Sequence, residues 1–149
     1  MSCYTIPIYT IALVREGTQR IEGREHLSTA MQATQVFADY LDGRDREHLV
    51  VLMLDSKNRL IGINTVSIGT IDSAMVSPRD VYKAAILCNA ASIMLAHNHP
   101  SGDPTPSPAD ISVTRIIAES GKLLGIPLLD HIIIGSYGSF TSLVDKGYL

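Results

Sequence analysis

The sequence predicts an α/β (α+β) fold in which a mixed β-sheet is flanked by helices, and three observations carry that expectation. Two near-continuous apolar runs, "EHLVVLMLD" over 47–55 and "LLDHIIIG" over 128–135, have the pattern of strands buried on both faces. Ser77-Pro78 and Ser107-Pro108 each set a capping residue before a proline, which signals a helix start. At 149 residues the chain can bury a core without disulfide staples, and neither linker nor repeat divides it. A single domain over 1–149 is expected, with its core at about 28–149 and a strand-like extension over 1–27.

Taken in order, "PIYTIALVRE" at 7–16 has the β-branched and aromatic content of a strand, and "EGTQRIEG" reads as a turn with a possible short strand. Ser28 can cap a helix that runs to about Leu41, with Met31, Gln35 and Phe37 to Tyr40 giving mixed helical periodicity. "GRDR" at 43–46 ends it. The apolar run at 47–55 is then a central strand that "SKNR" turns into a second, "LIGINTVSIG" at 60–69, giving a hairpin. A helix follows Ser77-Pro78 through "RDVYKAAILCNA", and "ASIMLAH" at 91–97 is a short buried strand. A third helix opens at Ser107-Pro108 and runs through "ADISVTRIIAESGKLLG", stopped by Gly125 and Pro127. "LLDHIIIG" and a short "SFTSLV" strand complete the order β, α, β-β, α, β, α, β-β.

Composition removes several classes. Hydrophobic residues at 46% and charged residues at 18% are ordinary for a folded domain and unlike a disordered one. The formal charge of −3 offers no basic surface for a phosphate backbone, so nucleic acid is disfavoured as a partner. Cys3 and Cys88 lie far apart without CxxC spacing, which excludes a disulfide framework and a thiolate zinc site; Cys88 reads as a small core residue. The amino terminus lacks the basic start and apolar stretch of a signal peptide, and no run approaches the roughly 20 apolar residues of a membrane span. A cytoplasmic protein is expected.

Chemistry concentrates in "MLAHNHPSGDPTPSPADIS", 94–112. Alternate residues of a strand project to one side, so His97 and His99 can aim two imidazoles at one point while Asn98 faces away. Asp110 sits at the third helical position after the Ser107 cap, where the helix dipole and free amides favour its carboxylate. Two histidines and one carboxylate form a ligand set typical of catalytic zinc, which keeps a fourth position for water. Ser107 and Asp110 alone would be an ordinary helix cap, and the conjunction with H-x-H is what points to a metal. The letters HNH do not make a nuclease, whose histidine and asparagine are dispersed over a ββα element. Zinc nucleobase deaminases need H-x-E and a later P-C-x-x-C, both absent. A non-haem iron site accepts similar ligands, but no 2-oxoacid-binding features accompany it here.

H-x-H, seven residues, Ser, two residues, Asp resembles the JAMM signature of the JAB/MPN metalloprotease fold, matched by His97, His99, Ser107 and Asp110. From "NAASIMLAHNHPSGDPTPSPADIS" to "LLDHIIIG", with "RDREHLVVLMLDSKNRLIG" upstream, the chain is similar to the carboxy-terminal domain of bacterial RadC proteins, over roughly Ala30 to the end. The resemblance implies a cytidine-deaminase-like sheet and a zinc-dependent hydrolase related to isopeptidases that remove ubiquitin-like modifiers. RadC proteins also carry an amino-terminal helix-hairpin-helix region, for which there is no room before Ser28. A short, stand-alone member is expected. The family's DNA-repair name finds no independent support in the composition.

The resemblance further implies an upstream glutamate as general base, and Glu47, at the tip of the 47–55 strand, matches it. Read alone, Glu47 is a solvated acid in a charged turn, and Asp45 is the next candidate. The implied mechanism places one Zn²⁺ on His97, His99 and Asp110, with Glu47 deprotonating water and passing the proton to the leaving amine. Ser107 stabilises the tetrahedral oxyanion in addition to its capping role. His131 reads as a core or edge histidine, His26 and His48 as surface residues, and Asp103 has no assigned role. The stiff loop "PSGDPTPSP" is a candidate wall of a substrate groove. A peptide or protein substrate, isopeptide-linked or not, is the expected partner. The alternative is a catalytically quiet MPN-type module that binds protein or DNA.

Overall fold

A computed structural model describes residues 6–21, 23, 26–71 and 76–149. Three helices and five strands follow one another as α1 Ala30–Leu41, β1 His48–Leu54, β2 Leu60–Ile68, α2 Pro78–Leu87, β3 Ser92–Asn98, α3 Pro108–Leu124, β4 Leu128–Ile134 and β5 Phe140–Ser142. The strands form one mixed sheet in the order β2-β1-β3-β4-β5. β1 runs antiparallel to β2 and to β3, β3 runs parallel to β4 across the α3 connection, and β5 returns antiparallel to β4. This is the mixed, helix-flanked α+β sheet that the sequence predicts.

Every residue of β1 and of β3 is buried, because helices cover both faces of the sheet. Leu49, Val51, Ile93 and Leu95 pack with Tyr82 of α2 and Ile117 of α3, while Val50, Leu52, Met94 and Ala96 pack with Val36 and Phe37 of α1. The continuous apolar runs therefore carry the period-2 alternation of a strand, with an apolar layer awaiting each side chain. Odd-numbered residues of β1 and β3 face α2 and α3, and that parity directs His97 toward the helix bearing Asp110.

Helix boundaries follow local chemistry. Thr29 caps α1, accepting from the Gln32 amide at 3.2 Å, and the Gln32 side chain reaches back to the Ser28 N–H at 2.8 Å. The cap thus falls one residue after the expected Ser28, because Thr29 is the last extended residue and Ser28 supplies the donor instead. The apolar stripe of α1 is Ala33, Val36, Phe37 and Leu41, with Met31 turned to solvent. α2 starts at the Ser77 cap with Pro78 as expected but ends at Leu87, since Asn89 takes a left-handed φ of 53° that no helix continues. Cys88, its carboxy-terminal cap, is half-buried against the α2/α3 core. Gly125, also left-handed, ends α3 where predicted.

Two expectations at the edges are corrected. Residues 6–21 form neither strand nor helix, so the strand expected over 7–16 is not made, and Ile8 and Tyr9 stand 96% and 83% exposed. β propensity does not make a strand by itself; a ladder needs a neighbour for its N–H and C=O groups, and no strand of the sheet pairs with this segment. Part of the expected short strand in "EGTQRIEG" lies outside the described residues, at 22. The closing strand is only Phe140–Ser142, because the turn that follows engages the Ser142 and Leu143 carbonyls with the Lys146 and Tyr148 amides. Among the described residues, no helix is long and apolar enough to cross a membrane.

One packing contact constrains α3 strongly. The Tyr82 hydroxyl donates to the Ile117 carbonyl at 3.0 Å, and a methyl on Gly121 would stand 2.6 Å from the Ile126 carbonyl as well as against that hydroxyl. Gly121→Ala is therefore expected to destabilise the chain by about 1–3 kcal/mol, read as a lower denaturation midpoint at unchanged m-value. An unchanged midpoint would show that α2 and α3 can separate freely.

Candidate metal centre

The carboxy-terminal end of β3 and the amino-terminal turn of α3 meet at one point. Among the described residues, His97, His99 and Asp110 offer ligand atoms that all lie within 4.8 Å of one another. The two histidine Nε2 atoms are 2.9 Å apart, His97 Nε2 is 3.2 Å from Asp110 Oδ1, and His99 Nε2 is 3.6 Å from Asp110 Oδ2. Tetrahedral zinc with bonds near 2.0–2.1 Å separates its ligand atoms by about 3.3 Å. The observed spacings bracket that figure.

The other ring nitrogens are committed. His99 Nδ1 lies 2.7 Å from the Asp103 carbonyl, which can only accept, so this nitrogen carries the proton and Nε2 presents its lone pair. His97 Nδ1 lies 2.9 Å from His131 Nε2. Asp103, without an assigned role in the sequence, thus orients His99 through its backbone, while its carboxylate closes a turn onto Thr105. Two imidazole Nε2 atoms and a carboxylate oxygen this close repel unless a proton or a metal cation lies among them, so the donor set fits a metal and, without one, a proton shared with His97.

Asp110 is buried, which by itself would raise its carboxyl. The hydrogen bond and charge of His97 and the two donors of Ser107 outweigh burial and hold it well below the usual carboxylate range. Ser107 N–H and Oγ–H both reach Asp110 Oδ2 at 2.7 Å, and Ser107 Oγ accepts from the Asp110 amide at 3.1 Å, a complete capping box. That network occupies Oδ2 and leaves Oδ1 toward His97. The hydroxyl proton of Ser107 is engaged in this arrangement, so the cap reading of Ser107 is satisfied in full.

Glu47 stands outside the three-residue group. The β1–β3 register ends with Leu49 opposite His97, so Glu47, two residues before Leu49, leads into β1 at the end of the ladder where the chain leaves β3 for His99. The Glu47 carboxylate accepts from the Ile71 amide at 2.9 Å, and its carbonyl accepts from Gly69. Asn98, the middle letter of the motif, does face the other way, and there it has work the sequence did not reveal. Its carboxamide accepts from the His48 amide at 2.8 Å and donates to the Arg46 carbonyl at 3.0 Å, bracketing Glu47. Asp45, the alternative base, is exposed and ion-paired with Arg46.

The remaining histidines divide. His26 is exposed, as expected. His48, expected at the surface, is buried with its Nδ1 2.9 Å from the Arg46 carbonyl, because it is the first residue of β1, a strand buried along its whole length. His131 is a core histidine, as expected, and fully buried; burial and the neighbouring His97 hold it well below the usual imidazole range, so its ring is neutral. No spacing in the sequence ties it to His97, since the contact arises from the parallel pairing of β3 with β4. Beside His99, a cleft of about 420 Å³ opens between Asn98, Pro100, Arg44 and the turn at 135–139. Of the proline loop, only Pro100 lines it.

The family model for the RadC-like JAB domain matches residues 27–148. A UPF0758 protein of Caldanaerobacter subterraneus subsp. tengcongensis is 54% identical over 103 residues, 69% of this chain and 44% of the relative. One from Desulforamulus reducens is 52% identical over 105 residues, 70% of this chain and 46% of the relative. One from Geotalea uraniireducens is 44% identical over 135 residues, 91% of this chain and 59% of the relative. The chain spans about half the length of these curated relatives.

Proposed function

The chain belongs to the RadC-like JAB domain family, and from that premise and the geometry at His97, His99 and Asp110 we propose that it is a zinc-dependent metallohydrolase of the JAMM type, a peptidase or isopeptidase. The reading is carried by one observation: two histidine Nε2 atoms and a carboxylate oxygen converge while His99 Nδ1 is held by the Asp103 carbonyl and His97 Nδ1 by His131. Zinc bound there would polarise the scissile carbonyl and lower the pKa of water toward about 7.

The chain's own residues supply the rest. Glu47, whose flanking backbone is held by Asn98, takes the proton from the attacking water on its carboxylate and delivers it to the leaving amine. Ser107, released from Asp110 Oδ2, donates to the developing oxyanion. The cleft beside His99 receives the substrate chain.

Metal analysis after zinc-supplemented purification tests this reading, with about one zinc per chain expected. A metal-free protein would overturn it. A zinc-loaded protein that cuts no peptide or isopeptide-linked conjugate yet binds a protein or DNA partner would replace the hydrolase with the binding module.

A further inference from the structure

We infer that His131 and Thr114 are positioning residues that fix the tautomer of His97, aligning its Nε2 lone pair with those of its fellow ligands. This deepens the metal reading above and rests on it. The two ligand histidines are secured differently. His99 faces a backbone carbonyl, which imposes one polarity by itself. His97 faces another imidazole, which can donate or accept, so its polarity must be set from elsewhere.

Thr114 sets it. Its hydroxyl lies 2.6 Å from the Asp110 carbonyl and 2.6 Å from His131 Nδ1. The carbonyl has no proton to give, so the single hydroxyl hydrogen goes to it; spending that hydrogen on His131 would leave two oxygen lone pairs abutting at 2.6 Å in a dry interior. Thr114 Oγ1 must therefore accept from His131 Nδ1–H. With its ring proton on Nδ1, the His131 tautomer that fits these contacts has a bare Nε2, which accepts from His97 Nδ1–H and leaves His97 Nε2 free. Asp110 thus acts twice, once through its carboxylate at the site and once through its carbonyl behind His97. His131, Thr114 and His97 are all fully buried, so water cannot substitute for a missing link.

Zinc affinity, measured by chelator competition with the metal alone, tests the chain of bonds in wild type, Thr114→Ser, Thr114→Val, His131→Leu and the Thr114→Val/His131→Leu double variant. Thermal melts of the metal-free proteins run alongside. Thr114→Ser is expected within about threefold of wild type, since the hydroxyl remains. Thr114→Val and His131→Leu are expected to bind zinc roughly 10- to 100-fold more weakly, the usual loss when an outer partner of a ligand is removed. The double variant should be no weaker than His131→Leu, because the two act in series. Thr114→Val is nearly isosteric and carries the test if His131→Leu does not fold. Affinities in Thr114→Val and His131→Leu within twofold of wild type, with only the melts shifted, would reduce both residues to packing and overturn the inference. Additive losses would overturn the series arrangement. A wild-type chain that takes up no zinc would overturn the metal reading and this inference with it.

Discussion

Glu47→Gln is expected to keep its fold and its zinc while turnover of a peptide or isopeptide-linked substrate falls about 10²- to 10⁴-fold. That range corresponds to roughly 3–5 kcal/mol of barrier, far above assay scatter. Folding should survive because, among the described residues, the Glu47 carboxylate accepts a backbone bond from Ile71, which a glutamine carbonyl oxygen accepts equally well. Zinc should remain because Glu47 is not among the converging ligands. What the amide loses is basicity: it cannot take a proton from water at neutral pH. Turnover equal to wild type would remove Glu47 from the mechanism. Asp45 would be a poor heir, since its exposed carboxylate is paired with Arg46, which draws it below the usual range.

Removing Asp110 has the second large effect. Asp110→Ala is expected to abolish stoichiometric zinc, a loss beyond the roughly 10- to 100-fold of an outer-partner change, because one of three protein ligands is gone. The same substitution strips the acceptor from Ser107 N–H and Oγ–H, so a folding effect must be separated from a ligand effect. Two comparisons do so. Asp110→Asn retains an acceptor for the cap yet lacks the anionic charge, and its zinc should also be largely lost. Ser107→Ala gives up the cap at a cost of about 1 kcal/mol and should retain zinc, since no ligand is removed. Equal metal loss in Ser107→Ala and Asp110→Ala would mean that the capping box, and not the carboxylate, governs the site.

The sequence by itself determined the order of helices and strands from α1 onward, the proline-marked helix starts and the grouping of His97, His99 and Asp110. These are local: a run buried on both faces, a cap followed by proline, and H-x-H with S-x-x-D each encode their geometry within a few residues. Even Asn98 was assigned the correct face, because parity along a strand is a local property. What lay beyond local pattern was decided by pairing. His131 stands 34 residues from His97 and meets it only because β3 and β4 run parallel in one register, with Thr114 delivered from the intervening helix. The Asn98 side chain bonds the backbone on either side of Glu47, at Arg46 and His48, so that a glutamate which reads as a solvated acid is held where β1 begins, beside the end of β3. The segment at 7–16 shows the converse: strand-like composition without a neighbouring ladder leaves the backbone unpaired with the sheet, because β structure is completed only by a partner that the segment itself does not contain.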